Sequence, residues 1–151
     1  MFFENFIREL KRMPQLSDLT PDDQGCYALK INQQHLICFS ESFDSESLFL
    51  YAAVCPIPLS EEKRLKLYDQ LFSDHLFGKE TGHCTFALDH ASHQLLLTDR
   101  LPLLLLTTQY FIEEVQSFIH CLLYWKKEVD NLLEVDNQKL IKNVDRNMLK
   151  V

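Results

Sequence analysis

From Phe111 onward, Phe111, Val115, Phe118, Leu122, Trp125, Val129 and Leu132 follow one another at spacings of 4, 3, 4, 3, 4 and 3. Steps alternating between three and four keep side chains on one face of a helix with 3.6 residues per turn. A stripe held over seven positions requires a long helix, starting near Thr107, with a broad apolar surface laid against it. Leu48–Cys55 is apolar throughout and reads as a strand. Leu48, Leu50, Ala52 and Val54 occupy one parity, and Phe49, Tyr51, Ala53 and Cys55 the other. A strand apolar at both parities needs cover on both faces, from its own domain or from a second subunit.

The remaining elements fall around these two. Phe3, Phe6, Ile7 and Leu10 lie at helical spacing in residues 2–13, and Pro14 ends that helix. A polar segment leads to Gly25. Cys26–Ile31 then alternates as a strand with Tyr27, Leu29 and Ile31 on one face, and Asn32–His35 reads as a turn. Leu36–Ser40 is the return strand, with Ile37 and Phe39 expected at the other parity. Pro56 and Pro58 stop the Leu48–Cys55 strand, and Ser60 caps a helix with Glu61 and Glu62 in its first turn. That helix carries Leu65, Leu67, Tyr68, Leu71, Phe72, His75 and Leu76, a stripe wider than one sheet face needs. A second hairpin spans Cys84–Asp89 and Gln94–Asp99. The expected class is α+β, in the order α-β-β-β-α-β-β-α, with a twisted antiparallel sheet flanked by helices. Residues 1–135 form the domain and residues 136–151 a basic C-terminal tail.

Charge narrows the range of partners. The chain carries a formal charge of −7, yet residues 136–151 hold Lys139, Lys142, Arg146 and Lys150 against Asp136 and Asp145, leaving −9 on the body. An acidic body is unsuited to nucleic acid, whose phosphates are bound by lysine and arginine. The five cysteines, Cys26, Cys38, Cys55, Cys84 and Cys121, are odd in number and widely spaced, which fits reduced thiols better than a disulfide framework. The apolar run at Leu103–Leu106 is too short for membrane insertion, and a cytoplasmic location is expected.

Little chemistry is spelled out. His83-Cys84 and His90-x-x-His93 bracket one hairpin, but paired ligands at zinc spacing are missing, so no metal or other cofactor is expected. Ser73-Asp74-His75 are neighbours on a helix and point in different directions, whereas a triad needs groups converging from separate elements. The expected role is binding and not catalysis. A small adaptor for a folded partner and a small metal-binding enzyme are the alternatives.

Two of the three glycines, Gly78 and Gly82, fall in Leu76-Phe77-Gly78-Lys79-Glu80-Thr81-Gly82-His83-Cys84-Thr85-Phe86-Ala87-Leu88-Asp89. Gly78 is expected to close the helix from Ser60, and Gly82 to break the chain before the next strand. This junction resembles that of the class I type III secretion chaperones, the Tir chaperone or CesT–SycE-like family. Leu95-Leu96-Leu97, Leu101-Pro102 and the long helix bearing Trp125 follow in the same order. The resemblance implies a homodimer in the bacterial cytoplasm. It would bind the N-terminal chaperone-binding segment of secreted effectors, keep it unfolded, and pass it to the secretion ATPase or sorting components. By analogy Phe3, Phe6, Ile7, Leu10, Leu95 and Leu97 are the effector-binding residues, and Leu67, Leu71, Phe49 and Tyr51 the dimer interface.

Overall fold

The computed structural model describes residues 2–148, with side chains described as far as Glu134. In chain order the elements are α1 (Phe2–Leu10), β1 (Tyr27–Ile31), β2 (His35–Glu41), β3 (Ser47–Pro56), α2 (Glu61–His75), β4 (Thr85–Asp89), β5 (Gln94–Pro102) and α3 (Thr108–Met148). This is the expected α+β order. The backbone of α3 runs into the basic tail as far as Met148, and residues 149–151 lie outside the described residues.

The strands form one antiparallel sheet in the order β1-β2-β3-β5-β4. β3 and β5, the two longest, pair at its centre along nearly their whole length, with a bulge between Ala53 and Cys55. The stripe read from the sequence lies against this sheet: Phe111, Val115, Phe118, Leu122, Trp125 and Val129 are all buried. They meet Leu48, Leu50, Ala52 and Val54 of β3, with Leu95 and Leu97 of β5 in the same cluster. The opposite parity of β3 points to the other sheet face, where Phe49 is exposed and Tyr51 half-buried.

α1 closes one end of this core. Its Phe6 ring stands edge-on to Phe111 at 5.1 Å, and Phe3 meets Tyr27 at 5.9 Å. At the other end α2 packs on α3 through Leu67 and Leu71. The N-terminus of α2 is capped as expected, with the Lys63 N–H donating to Ser60 Oγ at 3.4 Å.

Three expectations need correction. Ile37 and Phe39 share a face with Tyr27 and Leu29, because the register sets Tyr27 opposite Phe39 and Leu29 opposite Ile37. α1 ends at Leu10, and Pro14 begins a separate 3-10 turn through Leu16. α2 ends at His75 and not at Gly78: Leu76 turns extended, and Phe77 takes a left-handed backbone at φ 55° before Gly78 does so at 69°.

Candidate functional site

An apolar groove of about 670 Å³ opens along β1. Its floor is Leu29 with Phe111 and Val115 of α3. One wall is Met13, Leu16 and Leu19 from the segment after α1; the other is Ile112 and Ile119 of α3, with Ile31 of β1 at the end. The walls exist because the 3-10 turn after α1 is pinned locally, the Leu16 N–H donating to the Met13 carbonyl at 3.0 Å. Asp22 Oδ1 then accepts from the N–H groups of Gln24 and Cys26, both at 2.9 Å, which aims the chain into β1. Among the described residues β1 pairs only with β2, so its outer edge borders the groove with no described strand alongside. Apolar walls beside an unpaired strand edge suit an extended peptide.

The residues named from the sequence stand behind this surface. Phe3, Phe6, Ile7 and Leu10 are buried between α1, β1 and α3, and Leu95 and Leu97 are buried under the helices. Their side chains fill the protomer's own core because α1 is too short and too apolar to leave its stripe uncovered. The open apolar lining comes instead from Met13, Leu16, Ile31, Ile112 and Ile119, all half-buried. Leu16 and Leu19 fall in a segment whose composition reads as polar, although two leucines three apart after Pro14 mark an apolar side to it.

The proposed dimer residues divide in the same way. Leu67 and Leu71 face α3 inside the protomer, whereas Leu65, Phe72 and Leu76 look outward, exposed by 62%, 75% and 60%. Positions 65 and 72, seven apart, share one helical face, and Leu76 and Phe77 follow in the turn after α2, Phe77 98% exposed on its left-handed backbone. Phe49 and Tyr51 lie on the other sheet face, where the Arg100 guanidinium sits 5.7 Å over the Phe49 ring.

The thiols are spread over both sheet faces. Cys26 Sγ lies 2.7 Å from Tyr51 Oη, and burial together with neighbouring Cys26 pushes the Cys38 thiol up to about 11. Burial does the same to Cys55, also to about 11. Cys84 is pushed up by its hydrogen bond to Cys121 and by burial, and the same bond draws Cys121 down. Among the described residues, no group of three His, Cys, Asp or Glu side chains is placed to hold a metal ion. Nor is any helix among them long and apolar enough to cross a membrane.

The order of elements, the sheet and the flanking helices are those of the small chaperones of type III secretion. Residues 5–126 match the model of the Tir chaperone protein (CesT) family, and the chain belongs to that family. Its fold is similar to a chain in the structure of the HopA1–SchA chaperone–effector complex, at 17% identity over 83% of this chain and 94% of that one, with a TM-score of 0.66. The ExsC–ExsE complex contains another such fold, at 20% identity, 82% and 92% coverage and a TM-score of 0.67. A third is the Yersinia pestis type III secretion chaperone SycH in complex with a stable fragment of YscM2, at 15% identity, 82% and 98% coverage and a TM-score of 0.59. A search of the curated proteins finds no match to this chain.

Proposed function

We propose that this chain is a type III secretion chaperone that binds the N-terminal chaperone-binding segment of one or more effectors. It keeps that segment unfolded and presents it to the secretion ATPase or sorting components from the bacterial cytoplasm. The observation that carries the reading is the apolar groove along the unpaired edge of β1, in a chain of the Tir chaperone family. Ordering an unfolded segment costs roughly 1–2 kcal/mol per residue, and each fully buried aliphatic or aromatic anchor returns roughly 1.5–3 kcal/mol. A row of apolar positions along a strand edge therefore offsets the ordering cost of a short strand while leaving the rest of the effector unfolded. The work is binding, and no catalytic step is assigned to it.

The working unit is a homodimer. The outward face of α2, with Leu65, Phe72, Leu76 and Phe77, is the proposed contact, in place of the inward Leu67 and Leu71. An exposed aromatic held in a left-handed conformation costs the fold about 1–2 kcal/mol, a cost that a subunit contact would offset.

Co-expression with effectors of the source cell, each truncated to its first hundred or so residues, tests the reading. The chaperone should co-purify with at least one of them, as two copies per effector by light scattering. A chain that is monomeric and captures none of them would overturn it.

A further inference from the structure

β5 runs beyond its last pairing with β4. The ladder ends at Thr85 opposite Thr98, whose hydroxyls lie 2.7 Å apart, whereas β5 continues to Pro102. Asp99–Pro102 are thus paired with β3 on one side and, among the described residues, with no strand on the other. The Leu103 N–H donates to the Glu46 carbonyl at 2.9 Å, on the β3 side. Backbone groups alternate sides along a strand, so those of Leu101 and Asp99 also face β3, and those of Arg100 face the free edge.

The free edge is plugged. Asp99 Oδ1 accepts from the Arg100 N–H at 2.8 Å, taking the bond that a neighbouring strand would make. Asp99 is only 7% exposed, and it lines a cleft of about 470 Å³ with Phe49, Leu101, Tyr110 and Glu114. Among the described residues no lysine or arginine pairs with its carboxylate, and only His83 lines the cleft as a basic partner; the Arg100 guanidinium turns away, with Nε donating to Ser47 Oγ at 2.8 Å and Nη2 3.4 Å from Asp44 Oδ2. A second carboxylate, Glu114, faces the same space from α3. An inward charge that occupies an edge N–H excludes casual strand pairing. It yields to a strand that brings both a carbonyl for the N–H and a cation for the carboxylate.

We propose that this cleft receives an extended peptide segment bearing a lysine or arginine, added to β5 in line with β4. Its carbonyl replaces Asp99 Oδ1 on the Arg100 N–H, and its cation pairs with Asp99 and Glu114. Apolar residues on either side of the cation alternate to the other sheet face and pack on Phe49. The cleft lies across the sheet from the β1 groove, and the inference stands whether or not that groove takes an effector.

The test uses the full-length, ¹⁵N-labelled chain and two blocked peptides, Gln-Thr-Val-Lys-Val-Thr-Gln and the same peptide with norleucine for lysine. The lysine peptide should shift the Arg100 amide resonance and bind about tenfold more tightly than the norleucine peptide. Asp99→Asn keeps an oxygen for the Arg100 N–H but removes the charge; it should weaken the lysine peptide about tenfold and leave the norleucine peptide unchanged. Glu114→Gln, at a half-buried helix position, gives the same comparison should Asp99→Asn not fold. Equal binding of the two peptides, or no shift at Arg100 with peptide in millimolar excess, overturns the inference. Effector capture through the β1 groove is read separately, by co-purification, so either can fail alone.

Discussion

The indole N–H of Trp125 donates to the backbone carbonyl of Glu80 at 3.1 Å, which ties the middle of α3 to the loop between α2 and β4. The Trp125 ring also meets Phe86 edge-on at 5.0 Å. The junction with two of the chain's three glycines is therefore held by the helix as well as by its own turns, such as Gly82 N–H to the Gly78 carbonyl at 3.0 Å. Trp125→Phe should lower stability by about 1–3 kcal/mol, the loss of one buried hydrogen bond and some packing, and Trp125→Ala by about 3–5 kcal/mol. Urea unfolding followed by circular dichroism measures both, and a Phe variant as stable as the parent would show that the bond does not hold the junction.

The β1 groove can be altered without opening the core. Ile112→Glu and Ile119→Glu change half-buried wall positions, so folding should persist with a loss of about 1 kcal/mol or less. Effector co-purification should fall at least tenfold for the pair. The buried Phe6→Ala should instead cost about 3–5 kcal/mol of stability, separating a supporting residue from a lining one.

Phe72→Glu places a charge at the centre of the outward face of α2. The dimer should shift toward monomer by at least tenfold in dissociation constant, with the monomer's fold intact, because Phe72 is exposed within the protomer. Sedimentation velocity across a dilution series reads this directly; an unchanged dimer moves the interface elsewhere, the sheet face of Phe49 and Tyr51 being next in line.

Asp99 carries a pH signature. Burial, reinforced by nearby Glu114 and opposed by the Arg100 N–H and His83, raises its carboxyl above the ordinary 3.8. A carboxyl that holds its proton more tightly when folded makes the fold lose stability as pH rises from about 3.8 through its higher folded value. Asp99→Asn removes that loss, so at pH 7 it should be more stable than the parent. Well below 3.8, where the carboxyl is protonated in both the folded and the unfolded chain, the difference should vanish. Thermal melts at the two pH values check the sign.

Periodicity made the framework legible. The 4-3-4-3 stripe of α3 and the double parity of Leu48–Cys55 are patterns that only one packing satisfies, and all but the last stripe residue is buried as expected. What periodicity cannot say is which apolar residues remain uncovered. Leu65 and Leu67 are both leucines on one helix, and they part company because α3 lies against only one side of α2. The groove was harder still to see, since its walls come from a 3-10 turn after Pro14 and from α3, nearly a hundred residues apart. The plug at Asp99 had no sequence signal, because it depends on β5 outlasting β4.

The contact of Phe6 with Phe111 joins nearly the first turn of the chain to the start of its last helix. During synthesis the apolar side of α1 leaves the ribosome about a hundred residues before its cover, which at 5–20 residues per second is a wait of roughly 5–20 s. For that interval the newborn chain itself carries an uncovered apolar helix face.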